Sequence, residues 1–184
     1  MRLFFALWPE DDVRAALAAA AGALMLRDGR LEPATRLHLT LRFLGDVADA
    51  QLDRWRAAAT EVVTPAFDLQ LTQAGWWPRS GVAWLAPSDT PSELGALATA
   101  LARIDLPAAR AEHAFRPHVT LARRVRHAPG LAERLDVRWP VSSFALVSSQ
   151  PTRDGSRYEV LSNWPLAQAA QRSAARLLCD NPGR

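Results

Sequence analysis

Lysine is absent from this 184-residue chain, whose 22 basic residues are all arginine. That absence excludes a P-loop lysine, a lysyl-adenylate, a Schiff base and a kinase-type ATP lysine, and with them several nucleotide-handling chemistries. A genome rich in G and C explains the bias, along with the abundant Ala, Leu and Pro. Phosphate could then be held only by arginine, backbone N–H and hydroxyl. Cysteine is almost missing too: Cys179, near the end of the chain, has no partner for an internal disulfide and forms no CxxC metal or redox pattern. No apolar run reaches the roughly 18 to 20 residues of a membrane span, since Arg14 and Arg27 bracket the longest candidate. Met1-Arg2-Leu3-Phe4-Phe5 soon meets Pro9, Glu10, Asp11 and Asp12, so it reads as a first strand rather than a signal peptide. The cytoplasm is the default location, and no membrane partner is expected.

What is present suits one globular domain or two small lobes sharing an interface: 49% hydrophobic residues, 22% charged and a net charge of +3. The most informative pattern occurs twice. His38-Leu39-Thr40-Leu41 returns 80 residues later as His118-Val119-Thr120-Leu121. Each copy alternates apolar and polar residues like a half-buried strand, so each His shares a face with its Thr. If both strands face one cleft, two imidazoles and two hydroxyls surround one point, a set able to move protons on both sides of a phosphorus atom.

The flanking text repeats as well. Phe5-Ala6-Leu7-Trp8-Pro9, an acidic start and an Ala/Leu-rich run precede the first His. Val82-Ala83-Trp84-Leu85-Ala86-Pro87, a polar start and another Ala/Leu-rich run precede the second. A near-constant offset over about 40 residues is what a duplicated half would leave. Coarse patterning predicts strands at 2–8, 36–43, 67–73, 81–86, 117–123, 140–148 and 157–162. It predicts helices at 10–26, 48–63 and 91–103, a short helix or turn at 130–135, and a hairpin around Asp154-Gly155. The class is α+β, with antiparallel pairing expected. Residues 166–184 read as a terminal helix fraying into a tail.

Three stretches in this order, Arg2-Leu3-Phe4-Phe5-Ala6-Leu7, His38-Leu39-Thr40-Leu41-Arg42-Phe43-Leu44-Gly45 and Phe115-Arg116-Pro117-His118-Val119-Thr120-Leu121-Ala122-Arg123, resemble the 2H phosphoesterase superfamily. Within it the chain is most similar to the bacterial and archaeal RNA 2′,3′-cyclic phosphodiesterases, also called 2′-5′ RNA ligases. The resemblance spans residues 1–165. It implies a bilobal fold with pseudo-repeats at about 1–75 and 80–165, strands free to exchange between lobes, helices outside and a central cleft. It implies hydrolysis of a terminal 2′,3′-cyclic phosphate to a 2′-phosphate with no metal and no cofactor, and a reverse 2′-5′ ligation. His38 is the implied general acid and His118 the implied general base, although the residue pattern is equally compatible with the opposite polarity. Thr40 and Thr120 would hold the non-bridging oxygens. Arg123 matches an arginine that approaches the phosphate in relatives, and Phe43 an aromatic that stacks on the terminal base. Strict alternation puts both on the face opposite the histidines, so each needs a bulge at the strand end. Arg42, on the His38 face by alternation, is the competing phosphate contact.

Surface or rim roles are expected for His113 and His127, and core positions for Trp8, Trp84 and Trp164. Trp76-Trp77 could line a base-stacking rim, with packing the blander expectation, and Tyr158 could close the cleft near its mouth. A zinc site on His38, His113 and His118 is disfavoured, because HxT offers no second ligand at a useful spacing. A non-catalytic RNA-end or nucleotide-binding module would tolerate loss of one His or Thr, and all four are present. The remaining alternatives keep the chemistry and change the substrate to 2′-5′ oligonucleotides or small cyclic nucleotides. The expected partner is an RNA bearing a cyclic phosphate end, tRNA fragments included, or a cyclic nucleotide. The expected assembly is a monomer.

Overall fold

The computed structural model describes residues 1–104, 114–152 and 155–168. In chain order it places β1 (Arg2–Leu7), α1 (Asp11–Gly22), β2 (Leu24–Met25), β3 (Arg30–Leu31), β4 (Leu39–Asp46) and α2 (Leu52–Thr60). There follow β5 (Phe67–Trp77), β6 (Val82–Pro87), α3 (Ser92–Ala102), β7 (Val119–Arg123), β8 (Gly130–Leu131), β9 (Val137–Val141), β10 (Ser143–Thr152) and β11 (Gly155–Pro165). Eight strands run in the order β11-β10-β1-β4-β7-β6-β5-β9, with β3 paired to β7 as the ninth, and β2 pairs separately with β8. Every ladder is antiparallel. The α+β class and mainly antiparallel sheet therefore match the sequence reading.

The sheet divides at its centre. β4 and β7 share one ladder pair, Leu39 with Val119. On one side lie β1, β10 and β11; on the other lie β6, β5 and β9. The helices cross this seam. α1 leaves β1 to pack on β7 and β9, and α3 leaves β6 to pack on β4, while α2 rests on β11. Asp11 and Asp12 in the first turn of α1 complement its positive end, and Val13, Leu17, Ala20 and Ala21 form its buried stripe.

β1 explains why the middle of the sheet reads as a continuous apolar run. Leu3, Phe5 and Leu7 enter the main core beneath the helices, where Phe5 packs near Trp55, Phe144 and Trp164. Phe4 and Ala6 point the other way and join Ala145 and Val147, with Trp8, Phe43 and Tyr158 packed against them. A strand buried on both faces has no polar alternation to show. Truncating Phe5 to Ala would cost about 3–5 kcal/mol on the usual scale for core aromatics.

Several expected boundaries move, the strand expected at 36–43 to Leu39–Asp46 and the one at 67–73 to Phe67–Trp77 among them, and three changes have a plain cause. The helix expected to reach residue 26 stops at Gly22, because Leu24 and Met25 pair with Leu131 and Gly130 of β8, and that tertiary pairing outweighs the local Ala/Leu propensity. The region expected as a short helix or turn at 130–135 carries β8 instead. The single strand expected at 140–148 is two, β9 and β10, split at Ser142. Pro140 hides the first from a propensity reading. It is tolerated because β9 is the edge strand, with Val137, Trp139 and Val141 buried in strict alternation. The expected hairpin is present as β10–β11, closed by Thr152 opposite Gly155. Asp154, His113 and the terminal helix beyond residue 168 lie outside the described residues. Among the described residues no helix is long and apolar enough to cross a membrane.

Candidate active site

The seam also carries the candidate site. Leu39 and Val119 are directly opposed, and both are fully buried on the core side. Their neighbours His38, Thr40, His118 and Thr120 must point to the other face. Continuing the antiparallel register sets His38 across from Thr120 and Thr40 across from His118, with Cβ atoms about 5 Å apart in each direct pair and the histidines on a diagonal of roughly 7–8 Å. One ladder pair thus brings together two residue pairs 80 positions apart in the sequence.

Both imidazoles are held alike. Nδ1–H of His38 donates to the Arg36 carbonyl at 2.6 Å, and Nδ1–H of His118 donates to the Arg116 carbonyl at 2.7 Å. A carbonyl can only accept, so each neutral ring keeps its proton on Nδ1 and its lone pair on Nε2. Either Nε2 can take a proton as a base or, once protonated, give one as an acid.

Their surroundings differ. His38 lies among aromatic rings: Trp8 stacks on it at 5.6 Å and 21°, Phe4 stands 5.0 Å away, and Tyr158 meets it edge-on at 5.2 Å. Burial against these rings pushes its pKa down to about 4, with smaller contributions from the charges of Arg123 and His118, against an opposing effect of the Arg36 carbonyl. His118 meets Trp77 edge-on at 4.6 Å, and burial followed by the Arg123 charge lowers its pKa as well. Behind Trp77 lies Trp84 at 5.3 Å, and Trp84 lies flat against Gly75, where a Cβ would come 2.1 Å from its ring. Trp8 is therefore part of the site rather than only of the core, and Trp77 rather than Trp76 reaches it. The Trp76 indole N–H instead donates to the Val125 carbonyl.

The bulges that Phe43 and Arg123 require are present in both motif strands, at matching places. Against β1, Arg42 pairs with Phe5 and Thr40 with Ala6, leaving Leu41 unpaired. Against β6, Ala122 pairs with Ala83 and Thr120 with Trp84, leaving Leu121 unpaired. One extra residue after each Thr reverses the alternation, so Phe43 and Arg123 turn to the cleft face. The same bulge sends Arg42 the other way, which corrects its expected role as a phosphate contact. Arg42 is 7% exposed, donates to the Leu101 and Ile104 carbonyls at the end of α3 and lies over the Trp55 ring at 5.5 Å. It satisfies the carbonyls and negative end of a helix.

A cleft of about 450 Å³ opens over His38 and Thr40, lined also by Phe43, Arg123, Tyr158 and three arginines that sequence reasoning missed, Arg2, Arg30 and Arg36. His118 and Thr120, on the other strand of the seam, are not among the residues that line it. Arg123 Nε donates to Glu32 at 2.5 Å, and Glu32 is the acid among the described lining residues. Arg2 lies over the Phe43 ring at 4.9 Å. The cleft is thus strongly cationic. His127 stays on the exposed surface, paired with Asp28 at 2.5 Å, and the Asp28 carboxyl is held low chiefly by the Arg126 backbone N–H. Among the described residues no group of three His, Cys, Asp or Glu side chains stands ready for a metal ion.

Comparison with known proteins identifies the family. Residues 9–153 match the family model described as the 2′-5′ RNA ligase superfamily. The chain belongs to that superfamily. One member, the RNA 2′,3′-cyclic phosphodiesterase of Thermus thermophilus, is 34% identical over 181 residues, covering 90% of each chain. A second, of the same name from Escherichia coli, is 34% identical over 178 residues, covering 91% of this chain and 97% of the relative. The crystal structure of E. coli LigT complexed with 3′-AMP superposes with a TM-score of 0.77 at 33% identity, covering 91% of this chain and 98% of LigT. The superfamily membership accounts for the fold.

Proposed function

We propose that this protein is a hydrolase that opens the 2′,3′-cyclic phosphate at an RNA end to a 2′-phosphate, by proton transfer between His38 and His118. The observation that carries this reading is the arrangement of His38, Thr40, His118 and Thr120 on one face around the Leu39–Val119 pair. A cyclic phosphodiester keeps its leaving oxygen in the ring, so hydrolysis needs a base on one side of phosphorus and an acid on the other. Nε2 of His118 takes the proton of a water whose oxygen forms the new bond to phosphorus. As the P–O3′ bond breaks, Nε2–H of His38 gives its proton to O3′. His38, whose pKa is pushed the lower of the two, to about 4, is the stronger acid once protonated. The anionic phosphate between the rings favours that protonated form, so substrate binding loads the acid. Thr40 and Thr120 hydroxyls donate to the non-bridging oxygens, Arg123 adds positive charge, and Phe43 stacks on the terminal base.

Both proton transfers are supplied by imidazole, so no metal or cofactor is needed. The near two-fold set also runs backward: an RNA 5′-hydroxyl in place of water would form a 2′-5′ bond. Every group named comes from one chain, so a monomer acting on RNA ends in the cytoplasm, tRNA fragments included, completes the proposal.

The test is product analysis of an RNA oligonucleotide ending in 2′,3′-cyclic phosphate, incubated in EDTA with wild type, His38→Ala and His118→Ala. A 2′-phosphate product formed by wild type and lost in both variants is the expected result. Turnover that EDTA abolishes, or that either variant retains, sinks the mechanism.

A further inference from the structure

Among the described residues that line the cleft, Glu32 alone is acidic, and the proton transfers do not use it. A carboxylate there repels the phosphate the cleft is proposed to receive, so its place needs a reason. The Glu32 side chain is 9% exposed and that of Arg123 is 43% exposed, so the carboxylate has largely left water while the guanidinium still reaches it. The contact between them is built from the backbone upward. β3 pairs with β7, Arg30 opposite Arg123 and Leu31 opposite Ala122, and the Glu32 N–H then donates to the Leu121 carbonyl at 2.8 Å. Leu121 is the bulged residue whose insertion turns Arg123 to the cleft, so this segment fastens to the bulge itself. One step along the ladder, Glu32 stands diagonal to Arg123, within reach of two long side chains. Nε–H of Arg123 donates to Oε1 of Glu32 at 2.5 Å.

We infer that Glu32 is a positioning residue: it holds Arg123 by Nε so that the Nη donors meet the phosphate between the two imidazoles. This inference rests on the phosphodiesterase reading above. A guanidinium carries five N–H donors, and Glu32 takes the single one on Nε. The donors on Nη1 and Nη2 are the ones left to pair with an anion. The Arg123 charge acts on both His38 and His118, which sets the guanidinium near both rings. Arg30 is the register partner of Arg123, and facing like charges repel, so Glu32 also offsets a push that would move Arg123 off this line. An arginine already held at one end loses less rotamer freedom when a phosphate arrives.

Steady-state kinetics on an RNA oligonucleotide ending in 2′,3′-cyclic phosphate test this in wild type, Glu32→Ala, Glu32→Gln, Arg123→Ala and the Glu32→Ala, Arg123→Ala double variant. Glu32→Ala should lower kcat/KM about tenfold, and Glu32→Gln, which keeps the acceptor without the charge, should recover most of that loss. In the Arg123→Ala background the Glu32→Ala change should lower kcat/KM by less than about twofold, because the residue acts through Arg123. A purely structural Glu32 would give the same loss in both backgrounds. The Nε–H proton of Arg123, followed by NMR in the free protein, should exchange slowly with water in wild type and Glu32→Gln and fast in Glu32→Ala. Equal losses in the two backgrounds, full activity in Arg123→Ala, or a kcat/KM in Glu32→Ala at or above wild type overturns the role. So does a fast-exchanging Nε–H in wild type. No turnover by wild type whose Nε–H is protected is instead a failure of the phosphodiesterase reading, and the role of Glu32 in catalysis falls with it.

Discussion

Arg42 offers a sharp test, because two readings of it demand opposite results. A residue two positions after Thr40 on a regular strand would face the phosphate; the bulge at Leu41 buries it instead beneath α3. Arg42→Met keeps much of the volume and removes the donors. The Leu101 and Ile104 carbonyls then lose a charged donor inside the protein. Hydrogen bonds to charged groups contribute about 1.5–3 kcal/mol each, so the pair sets a loss of about 3–6 kcal/mol, with the Trp55 contact adding to it. For a chain of this length each kcal/mol moves Tm by about 2–4 °C, which gives a drop on the order of 10 °C. Calorimetry on the wild type and Arg42→Met measures it, beside KM for a cyclic phosphate substrate well below both melting temperatures. The expected outcome is a large fall in Tm with KM within about twofold of wild type. An unchanged Tm with KM raised tenfold would refute the bulge argument and return Arg42 to the cleft.

The depressed histidines set a pH dependence with a definite sign. With the cleft empty, the state with one protonated and one neutral ring is most populated between the two pKa values, and both lie below 6.5, so kcat/KM should peak on the acid side of pH 6.5. The His38 ring should titrate near pH 4 by NMR. Titration at 6.5 would contradict the aromatic cage. The same shift makes stability fall as pH drops from 6.5 toward 4, because the unfolded chain binds a proton that folded His38 refuses; the loss totals about 3 kcal/mol and should vanish in His38→Asn. Gly75→Ala tests the stack behind His118: a Cβ 2.1 Å from the Trp84 ring forces Trp84 and then Trp77 to shift, so kcat should fall several-fold with the His118 NMR signal displaced. Wild-type kcat in a folded Gly75→Ala variant would show that Trp77 does not position His118.

The site was legible where the chemistry is carried by short-range pattern. HxTL gives alternation, the two copies give the pair, and the need for a bulge follows from asking Phe43 and Arg123 to face the histidines. What stayed hidden depends on distant pairing. Arg2, Arg30 and Arg36 lie in unremarkable local sequence, and only the β1–β4 and β3–β7 ladders and the return of β11 bring them to one cleft. The fate of Arg42 could have been read from the same bulge argument, since a residue that turns Phe43 toward the cleft must turn its predecessor away. The second role of Trp8, against the His38 ring as well as the core, stayed hidden because an apolar strand end looks the same whether or not its ring also stacks on an imidazole. Pro140 concealed β9 because propensity does not know which strand is the edge.

The crossing of α1 and α3 over the seam reaches beyond packing. Each side of the sheet is roofed by a helix that grows from the other side, so neither can shed its partner and remain closed. His38 and His118 stand on opposite banks of that seam, and they meet only while both roofs are in place. Loss of activity on heating or in denaturant should therefore coincide with global unfolding rather than precede it, which makes turnover itself a gauge of how much of the chain is wholly folded.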